Sequence, residues 1–180
     1  ADALRVFCQL DRRLPQTDPL DRQIVIGFGA FLELLRMAAA DQGFSLDVTP
    51  FPDGAPDGRL DNRPVAQVRF REVEIVRDPL FDQVLNRRTV RTPFTVAVPE
   101  ARSLQRVFAE PMTGFTTDPD RCARLKALCV DGWSVEHAYP PTLEESVELT
   151  RIGAGEVNAD PDGIALYGPA IEAARISGAL

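Results

Sequence analysis

The chain is poor in the residues that build metal and nucleophilic sites. Its 180 residues include one histidine, His137, and three cysteines, none of them in a C-x-x-C pair. An odd number of cysteines without such spacing predicts neither a zinc site nor a disulfide framework. His137 has no nucleophile or orienting partner near it in the sequence, so no catalytic triad is predicted. An ordinary surface histidine is the simpler interpretation.

Basic charge is also scarce. The 27 acidic residues outnumber the 20 basic residues, the formal net charge is −7, and Lys126 is the only lysine. Proteins that bind nucleic acids usually carry a surplus of positive charge, so no nucleic-acid partner is predicted. Charged residues interrupt the apolar stretches, which predicts no membrane-spanning segment and no membrane partner. No export signal is visible either.

The hydrophobic period changes along the chain. Apolar residues at helical spacing predict a buried helix over residues 21–42, with Gly43 as its C′ residue. Alternation predicts strands over residues 44–48 and 65–76, separated by a loop rich in proline and glycine. This order of elements predicts an α+β fold. Further helix starts are predicted at Asp78-Pro79, Pro99, Asp118-Pro119 and Gly168-Pro169.

Three short patterns predict local features. Gly27 and Gly29 lie within the first helix, where small residues indicate the close approach of another helix or a ligand. Thr142 followed by Glu145 is a capping-box pattern for a helix N-terminus. Residues 153–155 begin like a dinucleotide-binding glycine motif. Because no preceding strand is predicted and the third glycine is missing, that function is rejected.

The segment 80–100 holds the one pattern that indicates a ligand. Arg87, Thr89 and Arg91 alternate, so their side chains point to the same side of an extended stretch. Two guanidinium groups and a hydroxyl group can then surround a phosphate with charge-assisted hydrogen bonds. The alternative is that Arg87 and Arg88 end a helix, where cations complement the helix dipole. Spacing alone leaves both interpretations open.

The same segment resembles the start of a nitroreductase-family module. In that family an R-R-S-x-R-like motif is followed by an aromatic residue and a V-P-E-like helix start. Here the three parts are residues 87–91, Phe94 and residues 98–100, with threonine in place of the more common serine. The resemblance implies that Arg87, Thr89 and Arg91 hold the phosphate of FMN.

A second stretch resembles the same family. Residues 24–53 are similar to its long central helix and the strand that follows, and the loop after that strand approaches the flavin ring. This implies a ring contact from Pro50 and Phe51. Because the central helix here precedes the arginine motif, the chain resembles the Acg-like branch, in which two nitroreductase-like modules are fused. Residues 1–77 would be the late part of the first module and 78–180 the early part of the second.

The resemblance implies an α+β, nitroreductase-like fold, with helices around an antiparallel-rich sheet that is incomplete in this chain. It also implies an FMN-dependent oxidoreductase that carries hydride from NAD(P)H through flavin to a nitro or quinone-type acceptor. No catalytic side chain and no metal site are predicted. The alternative is a non-catalytic flavin-binding or flavin-sequestering protein, or a relative without flavin. Exposed apolar faces and homo-oligomerisation are expected of a piece cut from two modules, and the compartment stays open between cytoplasm and periplasm.

Overall fold

A computed structural model describes residues 3–89, 99–108 and 113–178. Its larger sheet has three antiparallel strands in the order β1–β3–β2. These strands are β1 (Ala3–Val6), β2 (Phe44–Pro50) and β3 (Ala66–Glu72). The two predicted strands are confirmed, whereas β1 was missed. The combination of α-helices with a mainly antiparallel sheet confirms the α+β class.

The α-helices in the described ranges are α1 (Arg22–Asp41), α2 (Ala101–Val107), α3 (Pro119–His137), α4 (Pro140–Glu148), α5 (Gly153–Ala159) and α6 (Pro169–Ser177). Four of the α-helices, α1, α2, α3 and α6, begin within two residues of their predicted starts, which is the usual accuracy of helix boundaries. Two short 3-10 helices occupy Leu10–Arg12 and Pro79–Gln83. The helix predicted from Asp78-Pro79 is therefore a single 3-10 segment.

Local hydrogen bonds define both ends of α1. The buried Asp18 carboxylate accepts the backbone N–H groups of residues 22–24 at 2.8 to 3.1 Å. These are the donors that the first turn of a helix leaves without intrahelical partners. At the other end Gly43 has a φ of 82° and donates its N–H to the carbonyl of Ala40 at 3.1 Å. The predicted C′ role of Gly43 is therefore confirmed.

The core of the described chain lies where the C-terminal half of α1 packs near the sheet. Met37, Ala39 and Ala40 of α1 are buried, as are Ala66 and Val68 of β3. Val68 is fully buried, because it lies on the central strand between Leu4 of β1 and Val48 of β2. This part of the predicted buried helix is confirmed.

The N-terminal half of α1 is exposed, so the prediction of burial is wrong there. A Cβ built on Gly27 or Gly29 meets nothing within 4 Å in the part of the chain that the structure describes. The close approach predicted at these glycines is therefore not present among those residues. Exposed apolar side chains on this half are Val25, Ile26 and Phe31, and Leu34 in the next turn is exposed as well.

α1 is also long and apolar enough to cross a membrane by length and composition. Its 20 residues include an 18-residue window with a mean hydropathy of 1.5, of which 17% is buried. The prediction that charges interrupt every such stretch is therefore wrong for this helix. Core helices of soluble proteins and signal sequences meet the same criterion, so this property alone is weak evidence for a membrane partner.

The chain divides into two compact units. One comprises Ala1–Arg88 with Glu145–Leu180, and the other comprises Thr89–Glu144. In the second unit α3 has no buried residue, and the expectation of exposed apolar faces is confirmed. The large apolar side chains exposed on α3 are Leu125, Leu128, Val130, Trp133 and Val135. The division into two related modules at residues 77 and 78 stays a prediction.

Residues 150–166 form a small β–α–β unit that sequence reasoning missed. Its strands, β4 (Thr150–Ile152) and β5 (Ile164–Leu166), pair in parallel, and α5 lies between them in the chain. Because β4 ends directly before Gly153, the prediction that no strand precedes residues 153–155 is wrong. The tight connection depends on Gly163, whose φ is 89°.

Candidate functional site

The predicted phosphate-binding residues follow the 3-10 helix Pro79–Gln83. Asp78 begins this helix as predicted: one carboxylate oxygen accepts the Leu80 N–H at 2.9 Å and the other accepts Arg36 at 2.7 Å. The pKa of Asp78 is lowered, mainly by the hydrogen bond from the Leu80 N–H and next by the hydrogen bond from Arg36. The backbone N–H of Arg87 donates to the carbonyl of Gln83 at 2.9 Å. Arg87 therefore lies one turn beyond an anchored helix.

Arg87 and Arg88 differ in what their side chains contact. The guanidinium of Arg88 donates to the carbonyl oxygens of Leu85 at 2.6 Å and of Arg87 at 2.8 Å. The exposed guanidinium of Arg87 makes no hydrogen bond or ion pair with any residue in the described ranges. Arg88 thus has the helix-end role, whereas Arg87 is available to an anion.

The other two motif residues, Thr89 and Arg91, follow Arg88 in the chain. Thr89 is exposed and begins the second compact unit, whereas Arg87 belongs to the first. Arg91 lies outside the described residues, as does Phe94. The convergence of Arg87, Thr89 and Arg91 on one phosphate therefore stays a prediction.

An open pocket of about 380 Å³ lies against the 3-10 helix that precedes Arg87. Its apolar lining comes from Phe81, Val84 and Leu85, and its polar lining from Arg77 and Asp82. The Arg77 guanidinium lies 5.4 Å from the centroid of the Phe81 ring. Leu85 is 83% exposed, so the apolar side chains of this segment line a pocket instead of a core. Apolar linings with a few polar groups are typical of small-molecule sites.

Carboxylates neutralise the arginine of this pocket. Arg77 forms an ion pair with Asp41 and a bidentate pair with Asp82 at 2.6 and 3.0 Å. Hydrogen bonds with Arg77 hold the pKa of both carboxyl groups below their usual range, and the pKa of Arg77 is raised in turn. An anionic ligand therefore gains little from Arg77, whereas the exposed Arg87, which follows the pocket residue Leu85 in the chain, has no partner among the described residues.

Pro50 and Phe51, the predicted ring contacts, lie at the far end of β2. Pro50 pairs with Ala66, and the Phe51 N–H donates to the carbonyl of Val65 at 3.1 Å. Phe51 has a φ of 44°, a left-handed conformation that bulky residues rarely adopt. Backbone strain of this kind is concentrated at binding sites and switch regions.

Phe51 directly follows the last residue of β2. β2 begins at Phe44, near the end of α1 where Arg77 pairs with Asp41. Its seven residues span about 20 Å at the usual rise of a strand. Phe51 and the Arg77–Asp41 ion pair therefore lie toward opposite ends of β2.

The start of α5 offers no place for a dinucleotide phosphate. A carboxylate oxygen of Glu172 accepts the Ala154 N–H at 2.7 Å, and Glu156 accepts the Ile152 N–H at 2.7 Å. The hydrogen bond from Ala154 is the main cause of a lowered pKa at Glu172. Although a strand precedes the glycines, the chain's own carboxylates occupy the donors that a phosphate would use.

The capping-box prediction is wrong. Because α4 begins at Pro140, Thr142 and Glu145 both lie inside the helix. The Thr142 hydroxyl donates to the carbonyls of Glu136 and Tyr139 at 2.5 and 2.8 Å. The Glu145 side chain instead accepts hydrogen bonds from the N-terminal segment of the chain.

A buried carboxylate that sequence reasoning missed connects the N-terminal segment to the loop before β3. Asp21 is fully buried; its Oδ2 accepts the Leu60 N–H at 2.8 Å and lies 3.5 Å from the Arg13 guanidinium. Its Oδ1 has no partner among the described residues. Burial, followed by the charge of Asp21, raises the pKa of the Cys8 thiol. Cys8 is therefore held as a thiol, which is unreactive as a nucleophile.

The remaining candidates give no site. His137 lies in the last turn of α3, with its ring centroid 3.9 Å from that of Trp133, and it is exposed. The interpretation as a surface histidine is confirmed. Across residues 3–89, 99–108 and 113–178, no group of three or more His, Cys, Asp and Glu side chains could hold a metal ion.

Comparison with known proteins returns no match: no family model, curated protein or solved structure is similar to the chain. The function is therefore argued from the motif residues and their contacts.

Proposed function

We propose that the chain is part of an FMN-dependent oxidoreductase of the nitroreductase type, with Arg87, Thr89 and Arg91 at the flavin phosphate. The bound flavin would take hydride from NAD(P)H and pass electrons to a small nitro compound or quinone. The protein's residues bind and orient the flavin. The α+β class is compatible with this assignment, and the nitroreductase-like topology is part of the proposal.

The contrast between two neighbouring arginines supports the proposal most strongly. The guanidinium of Arg88 donates hydrogen bonds to two backbone carbonyl oxygens at the end of the helical segment. Arg87 is exposed and has no partner in the described ranges. A charge-assisted hydrogen bond between this guanidinium and a phosphate would not require breaking an internal ion pair.

The apolar pocket before Arg87 also fits a flavin. Phe81, Val84 and Leu85 offer an apolar surface, and Arg87 follows Leu85 closely in the chain, with its N–H hydrogen-bonded to the carbonyl of Gln83. This pairing suits a ligand with a flat uncharged ring and an anionic tail. Pro50 and Phe51, at the end of β2, are the proposed contacts of the flavin ring.

The absorption spectrum of the purified intact protein tests the enzyme proposal. A bound flavin gives visible absorption bands, and turnover would show as NAD(P)H oxidation in the presence of a quinone. A colourless protein that binds no FMN on titration would overturn the proposal. Bound FMN without NAD(P)H oxidation would instead support the non-catalytic flavin-binding alternative.

Alanine variants of the arginine motif test the phosphate assignment. We expect Arg87→Ala and Arg91→Ala to weaken FMN binding by about tenfold or more, because a hydrogen bond to a charged group contributes about 1.5–3 kcal/mol. Thr89→Ala should have a smaller effect in the same direction. Isothermal titration calorimetry with FMN measures the affinities.

Arg88→Ala is the matched control for these variants. It removes the same charge from the adjacent position but only breaks contacts with carbonyl oxygens, so FMN affinity should hardly change. If Arg88→Ala costs the most affinity, or if Arg87→Ala and Arg91→Ala cost none, the motif does not bind the phosphate.

A further inference from the structure

Glu145 joins two segments that are distant in the sequence. Its carboxylate accepts the backbone N–H of Gln16 at 3.2 Å, and the N–H and hydroxyl of Thr17 at 2.8 and 2.7 Å. Successive backbone N–H groups form concave sites that suit an anion. Gln16 and Thr17 thus form a receptor for a carboxylate, and Glu145 is its internal ligand.

A second contact lies between the same two parts of the chain. Arg12 forms an ion pair with Asp162, and Arg151 lies 3.5 Å from the same carboxylate. Arg151 is 19% exposed, so the Arg151–Asp162 pair is less screened by solvent than most surface ion pairs. The segment 10–17 therefore meets residues 145–162 at two places.

The segment 10–17 is itself held to the sheet and α1. The Arg13 guanidinium donates to the carbonyl of Leu60 at 2.9 Å and to that of Leu10 at 3.1 Å, and it pairs with the buried Asp21. This anchor does not involve residues 145–178. Release of Glu145 can therefore loosen α4 from the N-terminal segment, which stays in place and keeps its ion pair with Asp162.

We propose that Glu145 is an acid-labile latch, which closes the contact between α4 and the N-terminal segment when it is ionised and opens this contact when it is protonated. A protonated carboxyl group can accept fewer of the three hydrogen bonds, because it carries a donor of its own. The two adjacent N–H groups and the hydroxyl then lose their shared acceptor.

The direction of the pH dependence follows from the contacts. Burial raises the pKa of Glu145, but the hydrogen bonds from Thr17 and Gln16 lower it, and the lowering prevails. A carboxyl group with a lowered folded pKa stabilises the folded contact above its unfolded pKa, about 4.3. That stabilisation is lost as the pH falls through the folded pKa. The latch is therefore closed at neutral pH and opens in acid.

The other charged groups on the two facing elements are either engaged elsewhere or exposed. Asp18 holds the first turn of α1, Arg13 holds Leu60, and Arg12 pairs with Asp162. None of them contributes a charge interaction to the pKa of Glu145. The exposed carboxylates on these elements are Asp11, Glu144 and Glu148.

The backbone amides of Gln16 and Thr17 report the latch directly in NMR spectra of the intact protein. At neutral pH both amides should be protected from hydrogen exchange, and their chemical shifts should titrate together with a midpoint below pH 4.3. In Glu145→Gln this titration should disappear, and protection should fall by about tenfold or more. Glu144→Gln, at the exposed neighbouring position, is the control and should leave both amides unchanged.

Two further observations keep the test decisive. Thr17→Val removes one of the three donors and should raise the midpoint toward that of an ordinary glutamate. The amide of Val68, at the centre of the core, should stay protected at the pH where the latch opens. The proposal is overturned if Glu145→Gln leaves the titration intact, if the two amides exchange freely at neutral pH, or if Val68 loses protection in the same step.

Discussion

Asp21→Ala is expected to lower the free energy of unfolding by about 2–4 kcal/mol. The substitution leaves the buried N–H of Leu60 without its acceptor at 2.8 Å and Arg13 without its carboxylate. Arg13 is 26% exposed, so water can partly replace the lost ion pair. Asp21 also has a φ of 55°, a conformation that aspartate adopts more readily than alanine. Equilibrium denaturation of the intact protein measures the change.

Two companion variants separate these causes. Asp21→Asn keeps an acceptor for Leu60 and tolerates the left-handed conformation, so it should cost less than the alanine variant. Asp57→Ala changes an exposed aspartate in the loop that contains Leu60 and should stay within about 0.5 kcal/mol of the unchanged protein. If Asp21→Ala destabilises no more than Asp57→Ala, the buried carboxylate does not hold this loop.

Asp21 illustrates why the sequence predicted some elements and missed others. The ends of α1 were predictable because their signals, such as Gly43, act on neighbouring residues. The contact of Asp21 with Leu60 spans 39 positions, and that of Glu145 with Thr17 spans 128. No local pattern distinguishes such a carboxylate from a solvated one, so Glu145 was assigned to a cap that it does not form.

Short strands were missed for a related reason. β1 has four residues and β4 and β5 have three each, too few for an alternating pattern to stand out. Their stability comes from pairing with a distant strand, and strands of this length are not stable alone. Missing β4 affected a functional prediction, because the apparent lack of a preceding strand was one ground for rejecting a glycine motif at residues 153–155.

The sequence also did not predict how much of α1 is buried. Helical periodicity identified the apolar residues of α1 correctly, but it could not tell that only the C-terminal half is covered. For the same reason the helical spacing of Phe81 and Leu85 does not show that these residues line an open pocket. Apolar spacing shows which face of a helix avoids water, whereas tertiary packing decides what covers it.

At the candidate site, the alternation of side chains predicted different roles for Arg87 and Arg88. The contacts of Arg88 with two carbonyl oxygens agree with that distinction, while the ligand of Arg87 stays a prediction. The neutralisation of Arg77 by Asp41 and Asp82 was not predictable, because Asp41 lies 36 residues away in the chain. Sequence alone would have suggested Arg77 as a further anion-binding arginine, whereas its ion pairs with Asp41 and Asp82 neutralise its charge.

Gly163→Ala is expected to lower the free energy of unfolding by at least about 2 kcal/mol. Gly163 has a φ of 89°, and an added Cβ would overlap the carbonyl oxygen of Leu149. That oxygen accepts the Ile164 N–H at 2.8 Å, so relief of the overlap would disturb the start of β5. The substitution therefore adds backbone strain and weakens a hydrogen bond beside the β4–β5 pair.

Gly155→Ala is the matched control within the same β–α–β unit. Gly155 lies inside α5, and a Cβ there meets nothing within 4 Å among the described residues. Alanine is favoured over glycine in a helix by roughly 0.5–1 kcal/mol, so this variant should be slightly more stable. Denaturation curves of the two variants should therefore shift in opposite directions. A shift in the same direction for both, or an unchanged stability for Gly163→Ala, would show that the connection between α5 and β5 does not have the described geometry.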